Sequence, residues 1–210
     1  MSRKRSGSTR DKLLSAAADV FVEKGFRDAT VAEICGRAGA NVSAVSYYFG
    51  SKEALYQEAW RHSYAESLGA HPQDGGISED APPEERLRGH LRALIERIFD
   101  ENNRDFHISR MEIVNPTGLL QEVMKVALIP QREKTLSLVR ELLGPEATER
   151  QVVFCEACII GMCLNPLLMR RARQREDVVA TPAGMDDLGG FAEHVAMFAL
   201  AGIAATRNHL

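Results

Sequence analysis

From residue 10 to residue 24 the apolar side chains Leu13, Leu14, Ala17, Val20 and Phe21 recur every three or four positions, the period of an amphipathic helix with one buried stripe. Gly25 predicts its stop. Thr30 followed by Glu33 predicts a capping box at the start of a second short helix, whose Ile34 and Ala38 face the core and which ends at Gly39. Asn41 or Ser43 caps a third helix that continues to about Phe49, held to the core by Val42, Val45 and Phe49. Gly50 and Ser51 interrupt the chain, and a fourth helix runs from Ser51 to about Leu68 with Leu55, Ala59 and Trp60 turned inward.

Residues 69 to 83 are rich in Gly, Pro, Asp and Ser and lack a helical period, which predicts a loop or linker between a domain at 1–68 and another at 84–210. Beyond it, Leu87, Leu91, Leu94, Ile95, Ile98 and Phe99 mark a helix that opens on Pro83 and two glutamates, as helix N-termini prefer. Asn115 and Pro116 interrupt the next helix, Pro130 predicts a further break, and Gly144 with Pro145 is a strong stop. Two strongly apolar helices, at about 147–173 and 187–207, close the chain around a polar loop containing Pro182 and Gly184. With no alternating strand pattern, the fold class is all-α: an N-terminal three-helix helix-turn-helix unit followed by a larger helical domain.

Composition narrows the classes of function. Hydrophobic residues make up 45% of the 210-residue chain and charged ones 26%, close to the average for soluble proteins. No run approaches the roughly 18 apolar residues of a bilayer span, and no apolar stretch follows the basic start, so a cytoplasmic protein without membrane association is expected. The net charge of -3 is unevenly divided, because residues 1–62 carry ten Lys/Arg against seven Asp/Glu. A polyanionic partner is therefore expected at the N-terminal end.

The four cysteines show no secreted disulfide framework. Cys155 and Cys158 form a C-x-x-C pair with Cys163 five residues on, and only His107 or Glu156 suggests itself to complete a metal site. Small buried thiols on an apolar helix are the favoured reading. Arg170, Arg171, Arg173 and Arg175 lie where cations favour a helix C-terminus, and they are assigned no role. A phosphate-cradling glycine loop, an H-E-x-x-H helix and a nucleophile elbow are all missing, so no enzyme, cofactor or metal is expected. The alternatives are an all-α enzyme built from residues such as His107, Glu112 and Cys155, or a protein-interaction adaptor.

Residues 30–49 read TVAEICGRAGANVSAVSYYF, a short helix, a glycine-containing turn and a second short helix. Two helices at a steep angle let the second enter a major groove about 12 Å wide. Small and polar Ser43, Ala44 and Ser46 suit close approach there, followed by Tyr47 and Tyr48. The longer run FVEKGFRDATVAEICGRAGANVSAVSYYFGSKEALY resembles the DNA-binding domain of the TetR family of transcriptional regulators across nearly all of residues 10–60. The resemblance is carried by Phe21, Gly25 and Phe26, Thr30, Val31 and Ile34, Ala38 and Gly39, the Tyr47-Tyr48-Phe49 run, and Ser51-Lys52. It implies phosphate contacts by Thr30, Tyr47, Tyr48 and Lys52, and base approach by Ser43, Ala44 and Ser46. Ser46 stands where many members carry tyrosine or another large residue, so selectivity is also expected from DNA shape or from a basic arm at Arg3, Lys4 and Arg5.

Members of this family usually dimerise through their last two helices, for which Phe191, Val195, Phe198, Ala199, Gly202 and Ile203 supply material. A homodimer carrying two reading heads implies a pseudo-palindromic double-stranded DNA operator. The stretch RMEIVNPTGLLQEVMKVALIPQREKTLSLVRELLG at residues 110–144 resembles the C-terminal domain of CecR-like regulators. Phe106, Met111, Phe154 and Met162, with Val114, Leu119, Met124 and Met169, are candidates to line an adaptable apolar pocket for a small-molecule effector. His107, Asn115 and Glu156 are its candidate polar anchors, and plain core packing is the competing account of each of these residues. The resulting expectation is a ligand-responsive repressor.

Overall fold

The computed structural model describes residues 8–174 and 187–209, and side chains outside 166–174 within them. Arg3, Lys4, Arg5, Arg175, Pro182 and Gly184 lie outside the described residues, as do the side chains of Met169, Arg170, Arg171 and Arg173. Every regular element among the described residues is a helix: α1 (Thr9–Asp28), α2 (Val31–Ala38), α3 (Ser43–Phe49), α4 (Lys52–Ala70), α5 (Pro83–Phe99), α6 (Arg104–Val114), α7 (Gln121–Leu143), α8 (Glu149–Gln174) and α9 (Leu188–Arg207). Packing divides them into two compact units, Met1–Gly69 with Glu101–Ala127, and Ala70–Asp100 with Leu128–Leu210. Residues 101–127 thus group with the N-terminal unit, although the sequence pattern predicts them in the C-terminal domain.

The first unit is assembled around Leu13, Leu14, Phe21, Ile34, Leu55, Trp60, Ile108 and Leu120, each almost wholly buried. Burying a side chain of this size stabilises a fold by about 1.5–3 kcal/mol, so this cluster supplies its main driving force. Helix α1 starts with a full capping box, the Ser8 hydroxyl accepting from the Asp11 N–H while Asp11 accepts from the Ser8 N–H. As the pattern predicts, the backbone leaves the helical conformation at Gly25, at φ 74°, and a short helical piece follows the kink to Asp28. Asp105 and Ser109 of α6 receive the Trp60 indole N–H, at 3.2 Å on the Asp105 carbonyl and 2.8 Å on the Ser109 hydroxyl. The buried Glu112 carboxylate accepts from the Thr117 N–H (2.9 Å), the Gly118 N–H (2.8 Å) and the Tyr56 hydroxyl (3.3 Å). Burial, followed by the charge of Glu112, pushes the Tyr56 phenol above its ordinary range.

In the second unit α5 packs on α8 and α9, which also pack on each other, around Leu87, Leu91, Ile95, Val152, Ile159, Val195 and Ile203. The loop or linker expected at 69–83 carries no helix between Ala70 and Pro83, and it folds back on α5 and α7. The Gln73 carbonyl lies 3.0 Å from His90 Nδ1, and Gln73 Nε2 donates to the Gln131 carbonyl at 2.8 Å. A Cβ on Gly75 would come within 2.3 Å of the Gly89 carbonyl oxygen, so this approach requires glycine. Helix α7 also runs without interruption through Pro130, where the pattern predicts a break. Proline removes one intrahelical donor but does not stop a helix whose other bonds and packing persist. Helix α9 is long and apolar enough to cross a membrane by length and mean hydropathy, 1.5, which the sequence pattern does not predict. Its leucines, phenylalanines, Val195, Met197, Ile203 and alanines raise that average, and Ala192, Val195, Ala196, Ala199 and Ile203 are buried within the unit.

Candidate nucleic-acid interface

Helices α2 and α3 are joined by a turn whose geometry is set at Gly39, in the left-handed region at φ 64°. The Ala40 N–H donates to the Cys35 carbonyl at 2.9 Å and closes the end of α2. At the start of α2 only half of the expected capping box forms: the Thr30 hydroxyl accepts from the Glu33 N–H at 3.2 Å. The Glu33 carboxylate turns instead to Lys24 (2.7 Å) and Arg37 (2.9 Å), and Arg37 also forks onto Glu23 (2.6 Å). Cationic partners are stronger attractions for a carboxylate than a backbone N–H. These hydrogen bonds hold Glu23 and Glu33 below the usual carboxylate range. Lys24, Arg37 and Glu23 are exposed and Glu33 is half-buried, so the network ties α2 to α1 more than it adds stability.

Helix α3 is anchored by Val45, 2% exposed, with Ala44 and Phe49 half-buried beside it. Asn41 Oδ1 accepts from both the Ser43 N–H and the Ser43 hydroxyl, each at 2.9 Å, and thereby caps the helix. Because α3 begins at Ser43, Val42 precedes its first turn and is 53% exposed, not part of the core as the pattern predicts. The solvent face carries Ser43, Ser46, Tyr47 and Tyr48, with Tyr47 82% exposed and its ring edge-on to Tyr48 at 4.9 Å. Gly50, at φ 80°, ends the helix. The Ser51 hydroxyl then accepts from the Ala54 N–H at 3.2 Å and caps α4.

Lys52, the first residue of α4, sets its ammonium 4.5 Å over the Phe26 ring, and Arg10 lies 5.3 Å over the Phe49 ring. Arg10 also donates to Glu58 at 3.0 Å. Two cations are thus steered by aromatic rings that flank the helix-turn-helix. Arg10 is absent from the sequence-predicted set, because its partners stand 39 and 48 positions away and no local signal links them. Thr30 is exposed and, having accepted the Glu33 N–H, keeps its hydroxyl proton to donate. The seven residues predicted for DNA contact therefore all belong to one contiguous segment of α2, α3 and the start of α4. Ala44 differs from the rest in being turned half inward.

The residues predicted to line an effector pocket fall in both units. Phe106, His107, Met111 and Asn115 belong to α6 and its cap in the first unit. The methyl carbon of Met111 lies 3.0 Å from where a Gly25 Cβ would stand, and Asn115 accepts from Arg27 at 2.9 Å. Leu119 and Met124 pack on the core of the same unit, while Val114 is 76% exposed. Phe154 and Met162 of α8 instead line an open groove of about 260 Å³ with Phe198, Gly202 and Ile203 of α9. Cys155 and Cys158 also face this groove, whereas Cys163 is buried and its thiol is pushed up to about 12 by desolvation. Glu156 is committed to a two-pronged ion pair with Arg132, at 2.9 and 3.1 Å.

Residues 13–59 match the model of "Bacterial regulatory proteins, tetR family", and residues 83–203 match that of "HTH-type transcriptional dual regulator CecR, C-terminal domain". The chain is 29% identical to the HTH-type transcriptional dual regulator CecR of Shigella flexneri, over 73% of each chain. It is 34% identical to the HTH-type transcriptional regulator BetI 1 of Chromohalobacter salexigens, over 44% of each. Among solved structures, a TetR-like transcriptional regulator from Rhodococcus sp. RHA1 superposes with a TM-score of 0.66 at 19% identity, covering 96% of this chain and 99% of that one. The fatty acid degradation regulator FadR of Bacillus halodurans gives 0.67 at 17% identity, over 95% and 98%. At such identities the structures share the fold.

Proposed function

The chain belongs to the TetR family and is a DNA-binding transcriptional regulator, and from that premise we propose that it is a cytoplasmic homodimeric repressor of a pseudo-palindromic operator, released by a small, partly apolar effector. The observation that carries this reading is the tyrosine pair on α3, displayed to solvent on a helix whose opposite face is fixed in a core. A ring 82% exposed, whose aromatic contact is with the neighbouring Tyr48, buries little of its surface in the free protein. Against DNA the ring packs on sugar and its hydroxyl donates to a phosphate. Tyr47, Tyr48, Thr30 and Lys52 set the register on the backbone, and Ser43, Ala44 and Ser46 approach the bases.

The α8–α9 face supports the dimer. Phe154, Phe198, Met197 and Val153 are exposed there, between 37% and 58%, beside Gly202. Two such faces packed about a twofold axis bury one another, with glycine allowing close helix approach. Phe154 and Met162 then belong to the interface, and the effector acts through Phe106, His107, Met111 and Asn115 on α6. That helix is tied to the head at four points: Arg104 to Asp19 (2.6 Å), Trp60 to Ser109 (2.8 Å), Tyr56 to Glu112 (3.3 Å) and Arg27 to Asn115 (2.9 Å). A ligand that favours a different position of α6 therefore moves the head with it, which releases DNA to the extent that its affinities for the two positions differ. Repression follows from occupancy of the operator.

Replacing Tyr48 by Phe and Lys52 by Met tests the reading, since neither change empties the core. Operator affinity falls by about tenfold or more for the pair, as expected when charge-assisted phosphate contacts are lost, with a shallower salt dependence and an unchanged dimer mass. Retention of full affinity by the double variant sinks the assignment of this face.

A further inference from the structure

The open face of α8 and α9 carries thiols as well as apolar side chains. Helix α8 turns Phe154, Ala157, Cys158 and Gly161 outward, at helical spacings of three and four that place them on one stripe, and α9 sets Phe198 and Gly202 beside them. Cys158 is exposed and Cys155 half-buried, and both line the same groove. Of the three cysteines of α8, only Cys163 is the buried thiol that the apolar pattern favours, and desolvation keeps it neutral. Cys158 stands in the most open part of the stripe, between the small Ala157 and Gly161, and a Cβ added to Gly161 or Gly202 would meet nothing within 4 Å.

Residues three apart on a helix have their Cβ atoms about 5–6 Å from one another. Four sulfurs held at about 2.3 Å around a tetrahedral zinc ion lie about 3.8 Å apart, a spacing that two such thiols reach by rotation about χ1. One chain thus supplies half of a four-thiolate site. It cannot supply the rest, because no three His, Cys, Asp or Glu side chains converge among the described residues, and Glu156, next to Cys155, is buried in its ion pair with Arg132. A second copy can. In an isologous contact the residues nearest the twofold axis meet their own counterparts, and small neighbours allow Cys158 that place by letting two α8 helices approach closely. Four thiolates on a divalent ion leave two negative charges, and the Arg150 guanidinium, 5.1 Å over the Phe154 ring, brings one positive charge per copy to the same face.

We propose that the homodimer holds one zinc ion on its twofold axis, bound by Cys155 and Cys158 of both copies. This rests on the homodimer formed through α8 and α9 and adds to it a metal that links the two chains. Each thiol gives its proton to solvent as the ion binds, and no electron is transferred. The test titrates zinc into reduced, tag-free, metal-free full-length protein against a competing chromophoric chelator, while sedimentation gives the mass with and without zinc. Expected are a dimer in both conditions, one zinc per two chains, and an affinity about a hundredfold or more weaker in Cys155→Ser and in Cys158→Ser, both still dimeric. Cys163→Ala binds zinc as the unmodified protein does. Cobalt(II) in place of zinc gives the visible absorption of a tetrahedral thiolate site, which Cys158→Ser loses. A dimer that takes up no zinc, a stoichiometry of one ion per chain, or unchanged affinity in Cys158→Ser overturns the site without touching the dimer. A protein that stays monomeric with and without zinc overturns both.

Discussion

At Gly25 the backbone takes φ 74° and ψ 176°, a combination that side-chain-bearing residues rarely adopt, and the Met111 methyl occupies the space beside it. The helix stop read in the sequence is a kink between two helical pieces, and Met111 of α6 packs against it. Gly25→Ala is expected to destabilise the protein by about 1–3 kcal/mol through backbone strain with some steric conflict, read as a lower denaturant midpoint at constant m value. An unchanged midpoint would contradict the strain argument. Local chemistry of this kind is the part most legible in sequence: the Gly39 turn, the Ser51 cap and the buried stripe Leu13, Leu14, Ala17, Val20 and Phe21 all follow from short-range rules. Val42 shows the limit, because a helix start displaced by one residue moves it from the core to solvent.

Among the elements, α6 is the one whose role no pattern discloses. Its apolar period predicts a helix, but only the bonds of Asp105, Ser109 and Glu112 to residues 45 to 56 positions earlier assign it to the reading-head unit. The same holds for Gln73, His90 and Thr135, whose bonds fold the expected loop or linker back on α5. Glu112 offers the sharpest test at this scale. In Glu112→Gln the amide oxygen keeps the Thr117 and Gly118 N–H groups while its NH2 turns to the Tyr56 hydroxyl, which must then accept, so charge-assisted bonds become neutral ones and a loss of about 1–2 kcal/mol is expected. Calorimetric melting measures it. A shift of less than about 1 °C would mean that the α6–α7 turn is not held by this carboxylate.

For the whole molecule the central claim is that two copies of the helix-turn-helix, brought together through α8 and α9, read a symmetric site. The sequence carries the head in nearly contiguous form, since residues 30–52 contain the seven helix-turn-helix residues predicted to touch DNA, and the family match covers residues 13–59. It carries the effector site poorly, because its candidates are dispersed between α6 and α8 and the structure divides them between two units. The measurement that tests the claim most directly is selection of genomic DNA fragments by the purified protein, repeated from low to physiological salt. A single pseudo-palindromic site, with half-sites about one helical turn or a multiple of it apart and retained as salt rises, is the predicted result. Binding that shows no sequence preference and disappears as salt approaches the physiological range would contradict it.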